Sequence, residues 1–373
     1  MSGTGDRKHD NNFDFFRLAA AAFVIFYHSF PLTGTEQYGV FGFLGVSIFF
    51  IISGYFITGS WFNRPSPNSF IWSRFLRLMP ALAVLVLFTA FVIGPITTVL
   101  TLPAYFTSFN TWRYLAGASL VVIPGSIPGV FLHNPLPISV NGSLWTLPLE
   151  ARMYAVVLAL GLIGIFKNKK WTAAIALMLL GLFIATNDLS GMFSPLLKIN
   201  ELLLAGAIVP NYTLPLCYCT MFMMGCTFYL YKDIIKYNPM IFAGASIIWV
   251  YSIFTPFIYT ISVICLPYII LSLGFMKIPY LNMITKYGDF SYGIYIYAFP
   301  IQQTIVNFMP SISPWELFAV SLPVTLFFAV LSWVFIESRA LALKKMNPEL
   351  AIKKLLQPVA VVVRVPGRPI LKK

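Results

Sequence analysis

The sequence predicts an all-α polytopic transmembrane bundle of about ten spans, with both termini cytoplasmic. Three observations carry this expectation. Of the 373 residues, 58% are hydrophobic and only 10% charged, with a mean hydropathy of +0.81, whereas soluble domains carry roughly 25% charged residues. Long unbroken apolar runs recur, where a transmembrane barrel would show weak alternation over segments of about ten residues. The cations also sort by side. With spans at about 13–31, 39–61, 78–98, 143–166, 171–187, 212–231, 239–256, 259–275, 289–309 and 315–337, 22 of the 25 Lys and Arg fall on the side of the termini. Only Arg113, Arg152 and Lys198 lie on or near the other side, so the positive-inside rule puts both termini in the cytoplasm. The net charge of +13 is therefore a membrane-orientation signal, and nucleic acid is excluded as a partner. The expected organisation is a cytoplasmic tail at 1–12, one transmembrane domain at 13–337 and a basic cytoplasmic tail at 338–373, which anionic lipid would attract.

Span one, Asn12 to Pro31, carries Asp14, Arg17 and His28 through an apolar run. It has no small-residue cleavage site, so it reads as a permanent span and not a signal peptide. Arg17 and His28 are eleven positions apart, three turns plus ~20°, and share one face. Asp14 lies one turn before Arg17 and can pair with it. Ionisable groups are costly in lipid, so this stripe faces the bundle interior or a wet cavity. In span two, Gly39, Gly42 and Gly45 form a small-residue seam for helix contact. Ser53-Gly54 is expected to add a polar kink.

Arg74 and Arg77 precede span three, one turn apart on one face. Positive-inside anchoring accounts for cations there. Two arginines at a helix N-terminus would, however, repel its dipole unless an anion sat between them. A phosphate-bearing ligand from the cytoplasm meets that need, since guanidinium suits phosphate geometry. Residues 99–142 are long for a loop, and Tyr114 to Ile123 reads as a re-entrant or interfacial segment over the outer mouth. Leu189 to Pro210 reads as a second outer-surface segment.

Span four opens with Asn141-Gly142-Ser143-Leu144-Trp145 and carries Glu150 and Tyr154. Glu150 is expected at outer-leaflet depth, with His28 or Arg152 as partner. Trp145 and Tyr154 are either site residues or belt aromatics. Span nine holds Tyr292, Tyr295 and Tyr297 with Gln302 and Gln303 beyond them, and span ten ends at Glu337. The four cysteines lie in apolar runs without metal spacing and read as packing residues. No metal site is expected.

Taken in order, these pieces resemble the acyltransferase-3 family of bacterial integral membrane O-acyltransferases. They are Arg17 and His28, then Gly45-Val46 through Phe49-Phe50 to Ser53-Gly54, then Arg74 and Arg77. Ser143-Leu144-Trp145 with Glu150 and Tyr154 follow, then Ser291-Tyr292 with Tyr295, and finally Glu337. The resemblance spans roughly residues 10 to 340. One position departs: many relatives carry a second histidine in span nine where this chain has Ala298. Nor does the soluble hydrolase-like domain that some relatives append follow here, so the membrane part would act alone or with a separate periplasmic partner.

The resemblance implies transfer of an acetyl (acyl) group from cytoplasmic acyl-CoA to a hydroxyl of a surface polysaccharide, such as O-antigen, capsule or exopolysaccharide, in the bacterial inner membrane. Acetyl-CoA would be a donor substrate, with no permanently bound cofactor. Arg74, Arg77 and Arg17 are then the candidates to hold acyl-CoA, and His28, Glu150 and Arg17 the candidates for catalysis. Asp14, Ser53, Trp145, Tyr154 and Tyr292 would support them. His28 could be a general base toward the hydroxyl or a transient acyl carrier, with Glu150 orienting it or binding sugar. Two competing readings are a transporter using Asp14, Arg17, His28 and Glu150 as a proton or solute pathway, and a catalytically idle relative that only binds glycan or a partner.

Overall fold

The computed structural model describes residues 11–120, 125–137, 139–187, 213–276, 278, 281 and 288–345. The tail expected at 1–12 (but for Asn11 and Asn12), the segment from Leu189 to Pro210 and the tail beyond 345 lie outside them. Helices dominate, and among the described residues the only β pairing is an isolated bridge between Thr98 and Val130. The chain runs through α1 (Phe13–Ser29), α2 (Gly39–Asn63), α3 (Pro67–Phe88), α4 (Leu102–Thr107) and α5 (Phe109–Arg113). It continues with α6 (Thr146–Leu162), α7 (Lys169–Asn187), α8 (Thr213–Leu230) and α9 (Pro239–Ser252). It closes with α10 (Ile258–Phe275), α11 (Ser291–Phe308) and α12 (Pro314–Ser332). α3 carries on through a π turn, Thr89–Ile93, to Thr97, and α12 through a π turn, Trp333–Glu337, to Ala342.

Each of the ten expected spans has a helix. Eight are long and apolar enough to cross a membrane. α9, with 14 residues, rises about 21 Å at 1.5 Å per residue, less than the ~30 Å hydrocarbon core. α11 is long enough but too polar to meet the same measure. The reason is its position: 14 of its 18 residues are buried, so protein surrounds it instead of lipid. α1 packs between α2 and α11, and α12 closes over α11.

Small residues set the tight crossings, as expected for the glycine seam of α2. Gly45 lies so close to α1 that an added methyl would sit 2.6 Å from the Ala20 carbonyl. At Ser53-Gly54, where a polar kink is expected, α2 stays helical, running from Gly39 to Asn63. A methyl there would overlap the Phe222 carbonyl of α8, and one at Gly225 would overlap the Ile51 carbonyl in return. The pair therefore fixes the α2–α8 crossing.

One expectation is corrected. α3 begins at Pro67, behind Ser66 at its N-cap, so Arg74 and Arg77 lie seven and ten residues inside it. A helix dipole acts only over the first turn, so the reason for an anion beside them has to come from elsewhere. The segment read as re-entrant or interfacial, Tyr114 to Ile123, is described only as far as Leu120. Tyr114–Ser119 is a 3-10 turn packed against α3, and residues 121–123 lie outside the described chain. The loop enters the bundle further on, just before α6. There the 3-10 turn Gly142–Trp145 reaches the middle of α11. Pro300 of α11 has no N–H for the Ile296 carbonyl, and the Asn141 side-chain amide donates to that carbonyl instead, at 2.9 Å. Asn134 donates to the Gln303 carbonyl at 2.9 Å and to its Oε1 at 2.6 Å, while Gln303 Nε2 donates to the carbonyls of Leu136 and Ser139. The loop is thus pinned to backbone and amide groups of one buried helix.

Candidate active site

A cavity of about 690 Å³ lies inside the bundle near the end where α1 starts and α2 finishes, here termed proximal. Seven elements or their termini line it. α1 contributes Asp14 and Arg17, α2 runs from Val46 to Ile57, α3 brings Arg74 and Arg77, and α6 runs from Thr146 to Tyr154. Residues Gly288 to Tyr295, Trp333 and Lys344 complete the wall. Its volume suits a small-molecule site.

The charges within it are unevenly paired. Arg17 donates to Asp14 at 3.0 Å, as their one-turn spacing implied, and lies 5.4 Å from the Phe56 ring centroid. Arg77 donates to Asp289 Oδ2 at 2.6 Å. Asp289 is fixed in turn, because its Oδ1 accepts from the Ser291 backbone N–H at 3.2 Å and the Ser291 hydroxyl at 2.5 Å. Arg77 also packs over the Tyr292 ring, at 5.6 Å. Arg74 differs. It reaches only hydroxyls, Ser73 Oγ at 3.2 Å and Ser60 Oγ at 3.5 Å, and the rings of Phe70 and Tyr154. Among the described residues it has no carboxylate partner. The Glu150 carboxylate acts on it only through space, so a partly buried guanidinium is left with donors that an anion could take up.

Glu150 lies in this same cavity. Its carboxylate accepts from Ser53 Oγ at 2.8 Å and from the Tyr154 hydroxyl. Arg152, two positions on, is exposed. Neither Arg152 nor His28 is the hydrogen-bond partner of Glu150.

His28 stands outside the cavity, toward the distal end. Its ring meets Phe299 of α11 edge-on, with centroids 5.1 Å apart. Its Nδ1 is buried and makes no hydrogen bond of good geometry; the Val24 carbonyl, one turn back, is the acceptor beside it. The distal turn of α1 is held by Gln302, which donates to the Ile25 carbonyl at 3.0 Å and to Ser29 Oγ at 2.8 Å. Between cavity and histidine stands Tyr295, four residues before Phe299, or about 6 Å along the helix.

Of the sequence-predicted site residues, Asp14, Arg17, Ser53, Arg74, Arg77, Glu150, Tyr154 and Tyr292 share the cavity wall. Trp145 does not; it packs against Tyr218, with centroids 6.0 Å apart. The sequence reading did not single out Asp289. Its signal was present, an Asp two residues before the Ser that opens a helix, where such a side chain accepts from the first backbone N–H groups. Nothing local, however, says that it meets Arg77, 212 residues earlier. Glu337 is buried with Oε1 accepting from Ser332 at 2.9 Å and Oε2 unpartnered.

The fold and the site together define a multi-pass membrane protein with an internal, arginine-rich chamber at one end and a buried histidine beyond it. Residues 10–336 match the acyltransferase domain of the acyltransferase-3 family. The chain belongs to that family and is a membrane acyltransferase. An O-acetyl transferase of Shigella phage Sf6 is 28% identical over 364 residues, covering 92% of this chain and 98% of the relative. Nodulation protein 10 of Rhizobium leguminosarum bv. viciae is 28% identical over 373 residues, covering 90% of this chain and 94% of the relative. No solved structure matches the chain. The enzyme class read from the sequence, an O-acetyltransferase, agrees with the family and with the name of the phage relative.

Proposed function

We propose that this protein is a bacterial inner-membrane enzyme that moves an acetyl group from cytoplasmic acyl-CoA to a hydroxyl of a surface polysaccharide. The observation that carries the donor half is Arg74, a cation in an internal cavity that hydrogen-bonds only to hydroxyls and, among the described residues, makes no salt bridge, with the Glu150 carboxylate acting on it only from a distance. An anionic ligand would supply its counter-charge, and the phosphates of CoA have the chemistry for it. Arg77, already tied to Asp289, would add a second, pre-oriented donor. The side of the chain that the positive-inside rule assigns to the cytoplasm is the side on which the cavity lies.

The acyl arm would extend from the arginines past Ser53, Glu150 and Tyr154 toward the cavity floor. His28 would act from beyond that floor, removing the proton from the acceptor hydroxyl as it attacks the thioester carbonyl, or carrying the acyl group for one step. Glu150 would serve the inner chamber, holding Ser53 and Tyr154 in place against the donor. The polysaccharide acceptor comes from the resemblance alone; the phage relative's name supports only the O-acetyl transfer.

The test uses membranes containing the protein, acetyl-labelled acetyl-CoA and a crude glycan acceptor. Base-labile label should appear with the wild type and vanish with His28→Ala. CoA-thiol release should need roughly tenfold or more donor with Arg74→Ala, the loss of a charged hydrogen bond. Retained transfer in a folded His28→Ala variant sinks the role given to that residue. Family membership favours this reading over the transporter, and transfer of label from acetyl-CoA would separate the two directly.

A further inference from the structure

The cavity ends on a built floor. On α2 its lining runs from Ile57 back to Val46, eleven residues or about 16 Å of helix rise, and there it stops short of His28. The floor is made of Phe49 and Val46 of α2, Thr146 of α6 and Tyr295 of α11. Phe49 meets Tyr295 edge-on, with ring centroids 5.5 Å apart. The Tyr295 hydroxyl donates to the Ser143 carbonyl at 2.8 Å and shares a hydrogen bond with Thr146 Oγ1 at 2.5 Å. Either hydroxyl can be the donor of that second bond, since Thr146 Oγ1 also lies 3.4 Å from the Ser143 carbonyl. Both bonds end on the segment that opens α6, and that segment is itself pinned to α11 by Asn141. Tyr295 is buried, and so is Thr146. The ring is therefore held at its edge, by its hydroxyl and by its packing.

Resting on the acyl-CoA reading above, we propose that Phe49 and Tyr295 determine which acyl group the enzyme accepts, admitting acetyl and rejecting long chains. The reacting carbonyl must approach His28, and the last cavity wall before His28 is this pair of rings. The acyl tail beyond the carbonyl then has to fit against Phe49 and Tyr295. Two carbons need little room there. A chain of eight would have to displace a ring fixed by two hydrogen bonds, and packed interiors resist such insertion. Phe49 is the weaker half of the floor, because it has packing and no hydrogen bond.

The experiment is displacement of tritiated acetyl-CoA from the full-length protein in nanodiscs by unlabelled CoA, acetyl-CoA, butyryl-CoA and octanoyl-CoA. With the wild type, octanoyl-CoA is expected to compete at least roughly tenfold more weakly than acetyl-CoA, the discrimination a shaped apolar pocket supplies. Phe49→Ala should bring the two within about threefold, and Phe49→Leu, which keeps bulk and is the milder change for folding, should close part of the gap. Octanoyl-CoA competing as well as acetyl-CoA on the wild type overturns the proposal, as does a ratio that neither folded variant moves. CoA itself separates the two levels of inference. If neither acetyl-CoA nor CoA binds the folded wild type, the donor reading falls and the floor with it. If CoA binds and only the chain-length ratio fails, the donor reading stands and the floor does not.

Discussion

The two halves of α1 face different surroundings. The proximal half carries Asp14 and Arg17 into a chamber with two more arginines, two further carboxylates and several hydroxyls. The distal half carries His28 into a setting of Phe299, Val24 and backbone held by a glutamine. Charge gathers where a charged ligand would enter, and among the described residues no ion pair is made by the histidine that would move a proton. The lesson concerns division of labour. A chamber that neutralises phosphate needs fixed cations, whereas a base buried next to other charges would have its protonation decided by them. Tyr295, on the helix that runs past both, separates the two settings.

The separation of chamber from histidine rests most heavily on His28. His28→Ala should lower acyl transfer by roughly 10²–10⁴-fold, the usual worth of a positioned general base, while the affinity for CoA stays near that of the wild type. Transfer assays and CoA binding on the same membranes check both halves. Arg74→Ala is the mirror experiment. It should weaken CoA binding by roughly 10–100-fold, since hydrogen bonds to charged groups contribute about 1.5–3 kcal/mol. Arg74→Lys should recover only part of this, because the ammonium keeps charge and loses the planar fork. If the two substitutions had the same profile, the chamber and the histidine would not be separate units.

How much of this was legible in the sequence follows from the range of each interaction. Asp14 and Arg17 pair across one helical turn, and Arg74 and Arg77 share a face for the same reason, so both were readable. The ten helical segments were readable because apolar runs are long and their breaks contain Pro, Gly and charge. The start of α3 was placed too late, at 78, although Ser66 followed by Pro67 is a helix-start pattern. The polar residues from Asn68 to Arg77 obscured it, because they face the chamber and the proximal surface instead of lipid. Glu150 was expected at outer-leaflet depth with His28 or Arg152 as partner. Its carboxylate instead meets Ser53 and Tyr154, because α6 begins beside Tyr295 and Glu150 follows Thr146 by one helical turn. The Arg77–Asp289 pair and the Asn141–Ile296 bond join residues far apart in sequence, which no local pattern discloses.

Asp289→Asn should have a smaller effect than either substitution above and should fall on the chamber alone. The amide keeps the acceptor for Ser291 and removes the charge that holds Arg77. Both side chains are partly exposed, at 21% and 16%, so the loss should be about 1–2 kcal/mol, below the 3–5 typical of a fully buried pair. Thermal unfolding of the detergent-solubilised protein measures that cost. The CoA titration should show a modest change, because the guanidinium of Arg77 remains but is no longer pre-oriented. A loss of CoA binding as large as that of Arg74→Ala would mean that Arg77, and not Arg74, is the main anion site.

The last test concerns stability at the boundary between the halves and leaves the chamber's charges untouched. Pro300 leaves the Ile296 carbonyl without its helical donor, and Asn141 supplies one from the loop. Asn141→Ala strands that buried carbonyl and should destabilise the protein by about 1–3 kcal/mol. Pro300→Ala restores an N–H in the right place along α11. In that background the Ile296 carbonyl has two suitors, so removing Asn141 should cost clearly less than in the wild type. The coupling in this double-mutant cycle, read from denaturation midpoints, isolates the loop-to-helix bond from the loop's other contacts. Equal costs in both backgrounds would mean that Asn141 acts through Ser143, whose backbone N–H its Oδ1 also accepts at 3.3 Å. A positive coupling would tie the deep start of α6, and with it the depth of Glu150 and Thr146, to one proline in the central helix.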